Sequence, residues 1–106
     1  MTGIVSVYAV FADEGEADRI ARAVVEERLA ACANILGACR SIYRWQGRIE
    51  EADEVAAIFK TAEAAAPRLV ARIAALHSYE VPAIAVWPIA GAPAVYAAWV
   101  TAETGG

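Results

Sequence analysis

Residues 41–51 read Ser-Ile-Tyr-Arg-Trp-Gln-Gly-Arg-Ile-Glu-Glu. Apolar and polar side chains alternate through Ser41, Ile42, Tyr43, Arg44 and Trp45, and the run breaks at Gly47. Successive side chains on a strand point to opposite faces, so Tyr43 and Trp45 share one face. A second run follows over 48–60. Two such runs about a Gln46-Gly47 turn read as a long β-hairpin. A chain of 106 residues offers little inside itself to cover two bulky aromatics on such a strand. The hairpin therefore predicts an oligomer interface, with Ile42, Tyr43 and Trp45 meeting another subunit.

The rest of the chain supplies a frame for that hairpin. Val5, Val7, Tyr8 and Val10 suit a buried first strand over about 3–11. Asp13 is placed as an N-cap, with Glu16 three residues later in the capping-box position. A helix follows to about residue 31: Ala17, Ile20, Ala21, Val24 and Ala31 form one stripe, widened by Val25 and Leu29, with Asp18, Arg19, Arg22 and Glu26 opposite. The second strand begins at Asn34 and Ile35, is interrupted near Gly37, and resumes through Trp45. The third emerges from the acidic cluster Glu50, Glu51, Asp53 and Glu54 and reaches Lys60. A second helix over about 64–77 carries Leu69, Val70, Ile73 and His77 on one face. Its Pro67 is tolerated because the first helical N–H groups lack internal partners. A loop over 78–82, a fourth strand over about 83–89 and a last amphipathic helix with Val95, Tyr96, Trp99 and Val100 complete the order. The pattern β-α-β-β-α-β plus a helix predicts an α+β fold: a ferredoxin-like antiparallel sheet with both helices on one face. The whole chain, 1–106, reads as one domain. In that topology the hairpin's first strand lies on a sheet edge, and exposed edges invite pairing with other chains.

Composition narrows the function. The chain is 59% hydrophobic with a mean hydropathy of +0.43, apolar for a monomer, and the excess points to buried subunit contacts. Net charge is −4 and no basic run exceeds single residues, so nothing electrostatic supports nucleic-acid binding. No stretch approaches the length of a membrane span. No Lys or Arg precedes the apolar N-terminal run, which therefore reads as a strand rather than a secretion signal, and the protein as cytoplasmic.

Several segments, in order, resemble the CutA divalent-cation-tolerance family. They are Glu27-Arg28-Leu29-Ala30-Ala31-Cys32-Ala33-Asn34, Ser41 to Glu50, Glu54-Val55 with Phe59-Lys60-Thr61, His77-Ser78-Tyr79-Glu80-Val81-Pro82, and Tyr96-Ala97-Ala98-Trp99. Each piece is short, and the set covers nearly the whole chain. The resemblance implies a cytoplasmic homotrimer, similar in build to the PII signalling proteins, linked to tolerance of copper and other divalent cations, with no catalytic activity. It also implies metal ligands at a first-strand cysteine, the loop histidine and sometimes a glutamate after the loop proline. Here those positions hold Ala9, His77 and Ala83. The loop, which in the family usually reads His-Pro-Tyr, has serine at 78.

The candidate residues each carry two readings. His77 is the only histidine and a good copper ligand, but one imidazole is not a site, and the position also suits a residue closing a helix end. Cys32 and Cys39 are soft ligands for Cu(I), and equally small buried hydrophobes. The acidic cluster offers oxygen ligands, but without the glycine and spacing of an EF-hand it reads as a solvated strand entrance. Lys60, Tyr79 and Glu80 are candidates for a cleft between subunits, where a PII-like module would take an anionic ligand or a partner protein. No Ser/His/Asp set and no activating context for either cysteine is present, so no catalytic residue is assigned.

Overall fold

β1 (Ile4–Phe11) runs through the middle of the sheet and is buried along nearly its whole length. The computed structural model describes residues 2–105, so residues 1 and 106 of the expected domain lie outside the described residues. After β1 come α1 (Glu14–Glu26), β2 (Cys32–Trp45) and β3 (Arg48–Ala62). A 3-10 turn (Glu63–Ala65), α2 (Ala66–Leu76), β4 (Ile84–Pro88) and α3 (Ala94–Thr104) follow. The four strands form one sheet in the order β2-β3-β1-β4, with every neighbouring pair antiparallel. This is the ferredoxin-like α+β arrangement with an added C-terminal helix.

Alternation sorts the two faces. Val5, Val7, Ala9 and Phe11 of β1 and Val55, Ala57 and Phe59 of β3 point to one side. There they pack against Ala17, Ile20, Ala21 and Val24 of α1 and Leu69 and Ile73 of α2. At the stated scale of about 1.5–3 kcal/mol per buried large aliphatic or aromatic side chain, this layer dominates the stability. The opposite face carries Ser6, Tyr8, Asn34, Ile58, Lys60 and Trp87, with Tyr8 and Trp87 stacked at 5.0 Å. α3 covers one end of that face, where Val100 packs with Ile4 and Ala31.

The β2–β3 pairing continues without a break from Gly37 to the turn. Gln46 (φ 51°) and Gly47 (φ 80°) both take left-handed backbone, the geometry that matches the twist of two antiparallel strands. The interruption expected near Gly37 is a register shift between Ile35 and Gly37, made by a glycine at φ 105°.

Four boundaries differ from expectation. α1 stops at Glu26, five residues before Ala31. Arg28 turns left-handed (φ 63°), the N–H groups of Leu29 and Ala30 both bond the Val24 carbonyl, and the Ala31 N–H already joins the sheet at the Lys60 carbonyl. Ala31 is buried as expected, but by α3 rather than along the α1 stripe. α2 starts after a 3-10 turn and ends at Leu76, with His77 extended beyond it. β4 is shorter by one residue at each end. α3 is not amphipathic: Tyr96, Ala97, Val100 and Thr104 face inward, while Val95 and Trp99 stand exposed on the other side.

Candidate functional site

The densest polar cluster lies where the segment after α2 crosses the end of the sheet. His77 is buried, its ring stacked on Phe11 at 5.2 Å. Its Nε2 lies 2.7 Å from the Val10 carbonyl, and its Nδ1 accepts the Tyr79 N–H at 3.0 Å. A carbonyl accepts only, so the proton sits on Nε2 and the lone pair on Nδ1 is taken. Both ring nitrogens are therefore engaged inside the chain.

Beside it, Glu16 is 4% exposed and accepts two backbone N–H groups from distant parts of the sequence. Oε1 takes that of Ala12 at 3.0 Å and Oε2 that of Ser78 at 2.7 Å. The capping box is thus present in altered form. Asp13 accepts the Glu16 N–H at 2.8 Å as an N-cap should, but Glu16 reaches past the cap to Ala12 and frees its second oxygen for Ser78. Serine at 78 makes this contact available, since proline has no N–H to give. Burial alone would raise the Glu16 carboxyl. The bonds from Ala12 and Ser78 outweigh it and hold the group below its ordinary range.

The third member is Glu54, 7% exposed, which accepts the Tyr79 hydroxyl at 2.6 Å. Burial, then that bond, pushes the Tyr79 phenol well up. Glu54 departs from the solvated entrance expected of the acidic cluster. Its neighbours Glu51 and Asp53 are exposed, but Tyr79 folds over Glu54 from a segment 25 residues further on.

The other candidates lie elsewhere. Cys32 and Cys39 both belong to β2, opposite Lys60 and Glu54 respectively, about 20 Å apart at the rise of a strand. The Cys32 thiol meets the Tyr96 hydroxyl at 3.6 Å, and burial followed by this contact pushes the phenol up to about 12. Lys60 donates to Asn34 Oδ1 at 2.7 Å. It lies six residues along β3 from Glu54, so a single chain does not bring it to Tyr79 and Glu80. Among the described residues no group of three or more His, Cys, Asp or Glu side chains is placed to hold a metal ion. The residues of one chain do not fit a resident cation.

What one chain does present is uncovered apolar surface at its edges. On the projecting hairpin Ile42 is 65% exposed, Ile49 61%, Tyr43 43% and Trp45 42%. Sequence reading found the first strand's share of this set and missed Ile49, which the alternation of the second run places across the pair from Arg44. A groove of 580 Å³ between α1 and β2 continues the apolar edge through Val25, Ala33 and Ile35. At the other edge of the sheet, β4 leaves Val86 and Trp87 half-exposed.

Comparison with known proteins gives one answer. The family model described as CutA1 divalent ion tolerance protein matches residues 5–103. The divalent-cation tolerance protein CutA of Thermus thermophilus is 48% identical over 92 residues, 87% of this chain and 89% of that one. Its solved structure superposes with a TM-score of 0.92, covering 95% of this chain and 98% of that one. Human Protein CutA is 41% identical over 102 residues, and the match spans 93% of this chain and 57% of the human one. The Archaeoglobus fulgidus structure, described as a periplasmic divalent cation tolerance protein CutA, is 33% identical with a TM-score of 0.92 over 95% of this chain and 98% of that one.

Proposed function

The chain belongs to the CutA1 divalent ion tolerance family, and we propose that it serves divalent-cation tolerance as a cytoplasmic homotrimer. In this reading copper or another divalent cation is cargo, held between subunits rather than within one chain. One observation carries the proposal: the hairpin of β2 and β3 projects with Ile42, Tyr43, Trp45 and Ile49 uncovered, on the edge strand of the sheet. Contiguous apolar surface on a strand edge marks an interaction site. The far edge, β4, is also open, so each copy has two edges to offer, and rotation about an axis closes such a chain of contacts into a ring.

The internal commitments of the ligand candidates support placing the cargo between subunits. Both nitrogens of His77 are taken, and Cys32 and Cys39 stand apart on one strand. A closed ring would multiply each of these side chains and bring copies together. A PII-like anion module draws less support, because Lys60 is paired to Asn34 and lies away from Tyr79 and Glu80. We assign no reaction to the chain.

Isothermal titration of the assembled protein with Cu²⁺ and Cu⁺ tests the reading. Saturable uptake by the assembled form, lost in a dissociated Trp45→Glu variant, is expected. No uptake, or uptake unchanged on dissociation, would overturn the inter-subunit site.

A further inference from the structure

The segment from His77 to Ala83 has no regular structure, yet it is fastened at several points. Val10 holds both ends: its carbonyl meets the His77 ring, and its N–H donates to the Ala83 carbonyl at 3.2 Å. Between them Ser78 donates to Glu16, the Tyr79 N–H to His77, and the Tyr79 hydroxyl to Glu54. Four of these five contacts go to the two strands or stay within the segment. The fifth is different, because Glu16 belongs to α1 and its other oxygen is already committed to Ala12 at the junction of β1 and α1. A buried carboxylate accepting two N–H groups from segments 62 residues apart acts as a clasp, since release of either donor leaves an anion without part of its solvation.

We propose that Glu16 is a positioning residue that couples the start of α1 to the 77–83 segment, so that the two open together and neither moves alone. The inference rests only on contacts within one chain and holds whatever the oligomer. It assigns Tyr79 and Glu80, which that segment displays at the surface, a mechanical link to the first turn of α1. Anything that docks on either end is then felt at the other, through a single side chain.

Site-resolved amide hydrogen exchange on the full chain tests this. Gln at position 16 keeps one acceptor oxygen and turns an NH₂ group toward the other donor, so Glu16→Gln breaks one arm of the clasp without changing its volume. The Ser78 and Tyr79 amides should then exchange about tenfold faster or more relative to the Ala57 and Phe59 amides of the sheet. A Val24→Ala variant serves as the control for general destabilisation, and there all four amides should move in step. Unchanged exchange at Ser78 and Tyr79 in Glu16→Gln, or a change matched by the sheet amides, overturns the proposal. Should Glu16→Gln not fold, the unsubstituted chain still decides. Ala12 and Ser78 amides with one common protection factor support the clasp, and values about tenfold or more apart refute it.

Discussion

Removing the imidazole of His77 should cost the fold a large share of its stability, because the ring is part of the packing and not a free ligand. In His77→Ala the Val10 carbonyl and the Tyr79 N–H lose their partners together. A buried polar group left unsatisfied costs about 1–3 kcal/mol, less whatever water entering the gap recovers. Loss of the stack on Phe11 at 5.2 Å adds about 0.5–1.5 kcal/mol. The sum, with one of the two polar groups rescued by water, is about 2–4 kcal/mol. That is a substantial part of the roughly 5–15 kcal/mol typical of a domain. Urea unfolding of both proteins at one fixed concentration measures it, since assembly makes apparent stability depend on concentration. A loss below about 1 kcal/mol would refute the reasoning and return His77 to the pool of uncommitted ligands.

Three further outcomes are expected. The Glu16 carboxyl titrates lower in the folded chain than its ordinary value of 4.5. Its contribution is therefore complete above that value and drains away as pH falls through the lower folded one, so urea midpoints of Glu16→Gln should show a flatter acid slope than those of the natural chain. Gln46 sits at φ 51° ahead of Gly47, a position asparagine fills more readily, and Gln46→Asn should raise stability by a few tenths to about 1 kcal/mol in thermal melts. Trp45→Glu would bury a charge without a partner at the hairpin contact, and sedimentation velocity should show a lighter species at concentrations where the natural chain stays assembled.

Local pattern made the hairpin legible. Strict alternation and a glycine at the turn are properties of neighbouring residues, and the structure pairs Trp45 with Arg48 across that turn. Asp13 and Glu16 were legible for the same reason, as a cap with its partner three residues on. The end of α1 was not, because Glu-Glu-Arg-Leu-Ala-Ala contains no glycine or proline and Arg28 supplies the left-handed residue instead. Periodicity alone ran the stripe on to Ala31, which is buried for another reason. The site was the least legible part. The second oxygen of Glu16 reaches Ser78, Tyr79 covers Glu54, and Tyr96 meets Cys32, each pair brought together by topology from more than 20 residues away. No composition or spacing signal marks such a pair. The apolar outer side of α3 also escaped notice, because Val95 and Trp99 lie in a helix whose inner side is apolar too.

The account stands on the claim that the hairpin is completed by other copies of the chain. Sedimentation equilibrium over a dilution series into the low micromolar range tests it directly. The account predicts a single species of three times the 11.2 kDa of one chain. A folded species of one chain's mass, persisting through the series, would contradict it.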